Sequence, residues 1–188
     1  MVFMISAILL AAGEAKRMGK PKQLMPLGGK SILEHSIDNL LGSRVSEVIV
    51  VLGSEAEAVV KKVATRPVRI AMNLAYRQGM STSIARGLDL VNDGARAVML
   101  ALADQPFIDS QVINRMIDEF DTHNKGIAVP VYKGRRGHPI IFAIKYRSEL
   151  LGLRGDTGGK EILERHPDDV LEVDTGSEDI HRDIDAMK

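Results

Sequence analysis

The sequence predicts an α/β fold with a mainly parallel sheet, and three observations support this prediction. First, short apolar runs alternate with amphipathic stretches along most of the 188 residues, which is typical of strands alternating with helices. Second, the apolar runs are nearly continuous, as expected for strands covered on both faces. Third, we find no repeat, low-complexity tract or linker, so we expect residues 1–188 to form a single domain.

The apolar runs give the expected strands and the loops of interest. The strongest run, Ala97 to Ala103, ends directly at Asp104. Ligands of such sheets bind beyond the carboxyl ends of the strands, which directs attention to residues 11–29 and 104–109. The expected strands are Val2–Leu10, Val48–Leu52, Val68–Met72, Ala97–Ala103, Ile127–Val131, Pro139–Ile144 and Val170–Val173.

Helix signals fall between these runs. Ser31 and Glu34 have the spacing of a capping box, and Gly42 can end the helix that follows. Asp109 can cap a later helix with an apolar stripe through Phe120. The expected helices are residues 31–41, about 54–63, 80–91 and the segment that follows Asp109.

Composition limits the classes of function. Lys plus Arg and Asp plus Glu both number 25, so nothing indicates the strongly basic surface of a nucleic-acid-binding protein. The absence of cysteine excludes disulfides, thiolate metal sites and cysteine nucleophiles. The apolar start lacks a basic leader, and no run reaches the roughly 18 apolar residues of a membrane span. We therefore expect a cytoplasmic protein without a nucleic-acid or membrane partner.

The loop after the first expected strand combines small residues with cations. Small side chains allow close backbone approach, so that N–H groups can face an anion, and the Arg and Lys side chains add charge for a triphosphate. A solvated loop with surface lysines explains the spacing about equally well. The candidate nucleotide-binding residues are Leu10, Ala11, Ala12, Gly13, Arg17 and Lys22.

Two familiar nucleotide motifs are excluded in this loop. Pro21 stands where a P-loop requires Ser or Thr, and the spacing from Gly13 to Gly19 is one residue too long. The dinucleotide fingerprint G-x-G-x-x-G is also absent, which argues against a dehydrogenase.

Asp104 is the candidate metal ligand, within the segment Ala-Asp-Gln-Pro at residues 103–106. Mg²⁺ prefers one or two carboxylates together with substrate phosphates and water, and a carboxylate at the end of a strand is well placed for this. An ordinary turn or capping aspartate before Pro106 is the more common role from sequence alone.

These segments resemble a known family. Residues 10–22 are similar to the L-A-A-G-x-S-x-R-M-G-x-x-K signature of MobA-like nucleotidyltransferases, except for Ala15, where the family usually has Ser. The L-A-A-G start is more similar to the cytidylyl branch than to the guanylyl branch, which tends to have L-A-G-G. Residues 103–106 match the A-D-Q-P motif, whose Asp binds the catalytic metal. The resemblance implies a three-layer α/β/α, Rossmann-like nucleotidyltransferase fold of the GT-A-like type.

Three further segments resemble the family. Residues 73–83 match a segment near the base and sugar, which implies nucleotide contacts by Asn73, Gly79 and Ser81, although Ser81 is as well suited to cap a helix. Residues 136–139 resemble R-G-H-P, and residues 155–160 resemble G-D-x-G-A-R with Gly-Lys in place of Ala-Arg. These imply an acceptor side that consists of Arg136, His138 and Asp156.

The segment Asp183-Ile184-Asp185 resembles the start of the family's D-I-D-T-P-E-D motif, without the T-P-E-D part. The resemblance implies that Asp185 is a second metal ligand. A frayed, solvated tail is the alternative explanation of these carboxylates.

The resemblance implies a Mg²⁺-dependent enzyme that transfers CMP from CTP to Mo-molybdopterin and releases pyrophosphate. Arg17, Lys22 and Asp104 are then the expected catalytic residues. Two alternatives remain open. One is the same chemistry with GTP or a sugar phosphate. The other is a non-catalytic module that holds a nucleotide or cofactor for a partner such as a molybdoenzyme or its chaperone.

Overall fold

The computed structural model describes residues 4–13, 22–53 and 56–184. Its strands are β1 (Ile5–Ala11), β2 (Pro26–Leu27), β3 (Lys30–Ser31), β4 (Glu47–Leu52), β5 (Arg69–Met72), β6 (Ala97–Leu102), β7 (Ile127–Tyr132), β8 (Arg135–Arg136), β9 (Ile140–Ala143) and β10 (Val170–Asp174). Its α-helices are α1 (Ile32–Leu41), α2 (Ala56–Val63), α3 (Met80–Leu88), α4 (Ser110–Thr122), α5 (Arg147–Gly152) and α6 (Lys160–Arg165).

The main sheet has the strand order β10-β7-β9-β6-β1-β4-β5, and the short β8 pairs with β7. β1 pairs in parallel with both β4 and β6, and β10 with β7, whereas β9 runs antiparallel to β6 and β7. A parallel crossover needs a dozen or more residues, and the connection from Tyr132 to Ile140 is too short for one, which explains the reversal of β9. The predicted mainly parallel sheet is confirmed.

Helices cover both faces of the sheet. The side chains of β1 alternate between two apolar clusters, with Ala7 and Leu9 in one and Ile8 in the other. The first cluster includes buried residues of α1, α2 and α4, and the second includes residues of α3, α5 and α6. Two buried faces account for the continuous apolar runs in the sequence, and the predicted three-layer α/β/α fold is confirmed.

The helix signals are confirmed where the structure describes them. Ser31 and Glu34 form both bonds of a capping box at the start of α1, and Asp109 accepts hydrogen bonds from two backbone N–H groups of α4. The first two residues of the helix expected at about 54–63 lie outside the described residues. Helix α3 ends at Leu88, three residues before the expected end. The sequence patterns did not predict α5 and α6, since each has only six residues.

Across residues 4–13, 22–53 and 56–184, every helix is too short or too polar to cross a membrane.

Candidate active site

A cleft of about 620 Å³ opens beyond the carboxyl ends of β1 and β6. This is the edge of the sheet at which ligands of α/β proteins bind. Two sequence-predicted regions meet here, the loop after β1 and the segment after β6, because neighbouring parallel strands end at the same edge. The predicted site residues that line the cleft are Leu10, Ala11, Ala12, Gly13, Lys22, Gly79, Asp104 and Asp156.

The backbone after β1 is held in place from two sides. The buried side chain of Gln23 donates a hydrogen bond of 3.1 Å from its Nε2 to the carbonyl of Ala11. The N–H group of Ala103 donates to the carbonyl of Leu10 at 3.2 Å, which extends the β1–β6 pairing to the edge of the cleft. These bonds fix the small residues next to the cleft. The sequence patterns did not single out Gln23, since a polar residue in a loop carries no periodic signal.

Lys22 and Asp104 form an ion pair inside the cleft. The Lys22 Nζ lies 3.1 Å from Asp104 Oδ2, and their side chains are 14% and 37% exposed. The two residues come from different parts of the chain. Lys22 begins the 3-10 turn Lys22–Leu24 between β1 and β2, and Asp104 lies directly beyond β6. A partly exposed cation and a carboxylate therefore converge at the point where the predicted triphosphate and metal would meet.

The first turn of α3 forms another wall of the cleft. Gly79 has a φ of +111°, and a Cβ atom on this residue would lie 2.2 Å from the carbonyl carbon of Gly155. This close contact brings Asp156 to the start of α3, where its Oδ1 accepts a hydrogen bond of 3.2 Å from the N–H of Met80. The predicted acceptor residue Asp156 thus lies beside Gly79, which was predicted to contact the nucleotide.

Two predicted nucleotide-binding residues are engaged within the protein. The Asn73 side chain, 3% exposed, donates to the hydroxyl groups of Thr82 and Ser83 at 3.0 and 2.9 Å. Ser81 is also buried, and its N–H donates to the carbonyl of Gly155 at 3.1 Å. Both residues support the start of α3, whereas the lining of the cleft contains the neighbouring Ser83. The nucleotide contacts of Asn73 and Ser81 stay predictions.

The predicted acceptor residues 136 and 138 lie outside the lining of the cleft. Arg136 is exposed on β8 and forms an ion pair of 2.8 Å with Glu172. His138 is half-buried beside the segment of Asp104. Burial lowers the pKa of His138, and the negative charge of Asp104 partly opposes this change. A histidine with a lowered pKa is neutral at pH 7, and it therefore adds no positive charge beside Asp104.

The other predicted metal ligand and the other predicted catalytic cation, Asp185 and Arg17, lie outside the described residues. The residue before Asp185 does contact the site, since the N–H of Ile184 donates a hydrogen bond of 3.1 Å to the carbonyl of Asp104. Among the residues that the structure describes, no cluster of three or more His, Asp or Glu side chains could hold a metal. The partly exposed carboxylate of Asp104 in this cleft fits Mg²⁺, which takes few protein ligands and fills its coordination with phosphates and water.

The geometry agrees with comparisons to known proteins. The family model described as the MobA-like NTP transferase domain matches residues 7–170 of this sequence. The chain belongs to this family. It is therefore a nucleotidyltransferase with a nucleoside triphosphate as substrate.

Several similar proteins align with nearly the whole chain. Nicotine blue oxidoreductase of Paenarthrobacter nicotinovorans is 30% identical, with 98% of this chain and 93% of that protein aligned. The crystal structure of Rv0371c from Mycobacterium tuberculosis H37Rv is 30% identical, has a TM-score of 0.81 and covers 93% of this chain and 90% of that chain. A structure of Rv0371c in complex with manganese is 29% identical, with a TM-score of 0.78 and coverage of 91% and 89%. The manganese in that structure is a divalent metal, as nucleotidyltransferases of this family generally use.

Proposed function

We propose that this protein is a molybdenum cofactor cytidylyltransferase, which transfers CMP from CTP to the phosphate of Mo-molybdopterin and releases pyrophosphate. The observation that supports this proposal most directly is the 3.1 Å contact between Lys22 Nζ and Asp104 Oδ2 within the cleft. A triphosphate needs a cation, and its metal needs a carboxylate. The contact brings these two groups to one place.

The charges that surround the cleft support one position of the substrate. The triphosphate would lie along the backbone of residues 10–13, with the ammonium of Lys22 against its oxygens. The nucleoside would lie towards Gly79, which lines the cleft at the start of α3. The carboxylate of Asp156 is on this side, and a triphosphate would avoid it because the like charges repel.

CTP is the favoured donor because of the similarity of residues 10–13 to the cytidylyl branch of the family. Ala12 stands where the guanylyl branch tends to have glycine, and its side chain is buried at 5% exposure against the core. A guanine nucleotide remains the first alternative, since base choice depends on contacts that involve the ligand.

Asp104 would hold Mg²⁺, and we propose Asp185 as the second ligand because the preceding residue, Ile184, is hydrogen-bonded to Asp104. The bound ion would neutralise phosphate charge and orient the triphosphate. Lys22 would stabilise negative charge on the α-phosphate and on the leaving pyrophosphate, and we propose the same role for Arg17.

The reaction needs no protein nucleophile. An ionised oxygen of the acceptor phosphate attacks the α-phosphorus in line and forms a new P–O bond. The bond from the α-phosphorus to the oxygen that bridges to the β-phosphorus breaks, and pyrophosphate leaves with that electron pair. The acceptor phosphate is already ionised at pH 7, so no proton must be removed before attack. Catalysis is then mainly positioning and charge neutralisation.

The test is pyrophosphate release by the purified protein with each of the four NTPs, Mg²⁺ and Mo-molybdopterin. We expect release with CTP and its loss in Asp104→Asn. Release with GTP in place of CTP would contradict the proposed base, and release only with a sugar phosphate would contradict the proposed acceptor. Either result would still support a nucleotidyl transfer reaction. Binding of CTP without turnover in the presence of authentic acceptor would favour the non-catalytic module.

A redox function is a second candidate, because the full-length relative from Paenarthrobacter nicotinovorans bears the name of an oxidoreductase. The dinucleotide fingerprint G-x-G-x-x-G is absent from this sequence. Oxidation of NADH or NADPH in the presence of a quinone-type acceptor, without pyrophosphate release from any NTP, would favour the redox function. The cytoplasmic location, the absence of a nucleic-acid partner and delivery to a molybdoenzyme or its chaperone stay predictions.

A further inference from the structure

A short segment near the end of the described chain lies directly on the loop that holds Asp104. Residues 178–184 begin with a 3-10 turn at Glu178–His181 and reach Asp104 through the Ile184 N–H, which donates to the Asp104 carbonyl at 3.1 Å. This bond ties the segment to the backbone of the predicted metal ligand.

The carbonyl of Ile180 joins this segment to two parts of the site. It accepts one hydrogen bond of 3.4 Å from the Gln105 side chain and one of 3.5 Å from the His138 N–H. The Ile180 side chain is fully buried. Gly137 makes the close approach possible, because a Cβ atom there would lie 2.5 Å from the Ile180 oxygen.

The side chain of Gln105 is bonded to this segment through the Ile180 carbonyl. It is 8% exposed, and the bond to Ile180 is the one hydrogen bond that its amide makes with the described part of the chain. Its Oε1 atom is buried without a partner in that same part. Burial of an unpaired oxygen opposes folding, so an apolar side chain of similar size would be better for stability alone.

Arg182 provides a further contact between the segment and the loop of Asp104. Its guanidinium carbon lies 4.2 Å from the centre of the Phe107 ring, within the range of a cation–π interaction. Asp179 orients the guanidinium through an ion pair of 2.8 Å. Phe107 follows Asp104 by three residues, so this contact acts on the same loop as the bonds of Ile180 and Ile184.

We propose that residues 178–184 form a clasp that positions Asp104 for binding of a divalent metal, with Gln105 and Arg182 as positioning residues. The proposal rests on the proposed role of Asp104 as a metal ligand. The clasp also bonds to the backbone of His138. It therefore connects the metal-binding loop to the hairpin between β7 and β9.

The test uses three variants of the full chain. Arg182→Ala removes the cation above Phe107, Gly137→Ala displaces the Ile180 carbonyl, and Gln105→Leu removes the amide without leaving a cavity. Arg182→Lys is the conservative variant that should restore the contact. Two readouts are measured: hydrogen exchange of the Ile184 amide, and Mn²⁺ affinity from the signal of the free ion in electron paramagnetic resonance.

Two control variants match the changes without touching the clasp. Arg86→Ala removes an arginine of similar exposure that also pairs with an aspartate three residues away, at 3.0 Å. Gly152→Ala adds a methyl group where nothing lies within 4 Å. Asp104→Asn is included to test the metal site itself.

We expect Arg182→Ala, Gly137→Ala and Gln105→Leu each to exchange the Ile184 amide about tenfold faster and to bind Mn²⁺ about tenfold more weakly, the effect typical of groups that orient a metal ligand. Arg182→Lys should stay close to the unmodified protein in both readouts. Gln105→Leu should do so without a loss of thermal stability. Unchanged exchange, or faster exchange with unchanged Mn²⁺ affinity, would overturn the clasp. If Asp104→Asn leaves Mn²⁺ binding intact, the proposed metal site itself is wrong, and the clasp has no metal ligand to position.

Discussion

The ammonium of Lys22 lies 3.1 Å from the carboxylate of Asp104, although the two residues are 82 positions apart in the chain. Parallel pairing of β1 with β6 explains this, because it brings the segments after both strands to one edge of the sheet. Both charged side chains line the same cleft. Their joint action on one substrate is the basis of the proposed mechanism.

Lys22→Ala should lower kcat by about 10²–10³-fold, the usual effect of removing one preorganised donor from developing charge. The melting temperature should change little, since partly exposed ion pairs contribute only about 0–1 kcal/mol. Lys30→Ala is the matched control, because Lys30 also pairs with an aspartate, Asp38, at 2.7 Å but on the exposed side of α1. Equal activity of the two variants in steady-state pyrophosphate release would exclude the catalytic role of Lys22.

Asp156→Ala should raise the KM for the NTP, because the first turn of α3, which forms the wall of the cleft at Gly79, would lose the carboxylate that accepts from the Met80 N–H, and we expect this loss of support to outweigh the relief of charge repulsion. Asp109→Ala removes a comparable cap from α4, away from the cleft, and should lower stability by about 0.5–2 kcal/mol without changing KM. Urea unfolding and steady-state kinetics separate the two effects. A role of Asp156 limited to capping would give both variants a normal KM.

Gly79→Ala should impair folding and NTP binding together. The substitution places a Cβ atom 2.2 Å from the backbone of Gly155 at a φ of +111°, a conformation that costs L-residues of order 1–3 kcal/mol. We expect a lower melting temperature and a KM raised at least severalfold, compared with Gly152→Ala, which meets open space. A variant with normal stability and KM would show that the contact between residues 79 and 155 is not needed.

Asp169 should make stability depend on pH in the acid range. Burial alone would raise the pKa of Asp169, but hydrogen bonds from Lys145, Tyr146 and the Gly126 N–H outweigh it and lower the pKa from 3.8 to about 2. The stabilisation is complete above about pH 4 and is lost as the pH falls towards 2.

Asp169→Asn should therefore lower stability at pH 7 and flatten the loss of stability between pH 4 and 2, measured by urea unfolding. Asp93→Asn, at an exposed aspartate on the surface, should leave this pH profile unchanged. The same acid profile in Asp169→Asn and in the unmodified protein would contradict the assignment.

Much of the fold was predictable from local patterns. The end of β6 before Asp104 and the caps at Ser31 and Asp109 agree with the sequence expectations, because caps and apolar runs depend on neighbouring residues. The reversal of β9 was not predicted, because the apolar runs were assigned one by one and such a run has the same pattern in either direction. The short connection between the two expected strands does exclude a parallel crossover.

The site was predictable to the extent that it lies at the ends of strands. Lys22 and Asp104 were singled out because a strand-end rule and a family resemblance pointed to the same loops. The bond from Gln23 to Ala11 and the position of Asp156 beside Gly79 were not predicted. Both depend on long-range contacts between loops, which leave no periodic pattern in a single sequence.

The most direct test of the mechanism is a crystal structure of the protein with Mn²⁺ and a non-hydrolysable CTP analogue, in which anomalous scattering locates the ion. We expect the ion at about 2.1 Å from an Asp104 oxygen and bound to the triphosphate, with Lys22 Nζ about 2.8 Å from a phosphate oxygen. An ion and a triphosphate bound elsewhere, with Lys22 and Asp104 still paired to each other, would contradict the proposed mechanism.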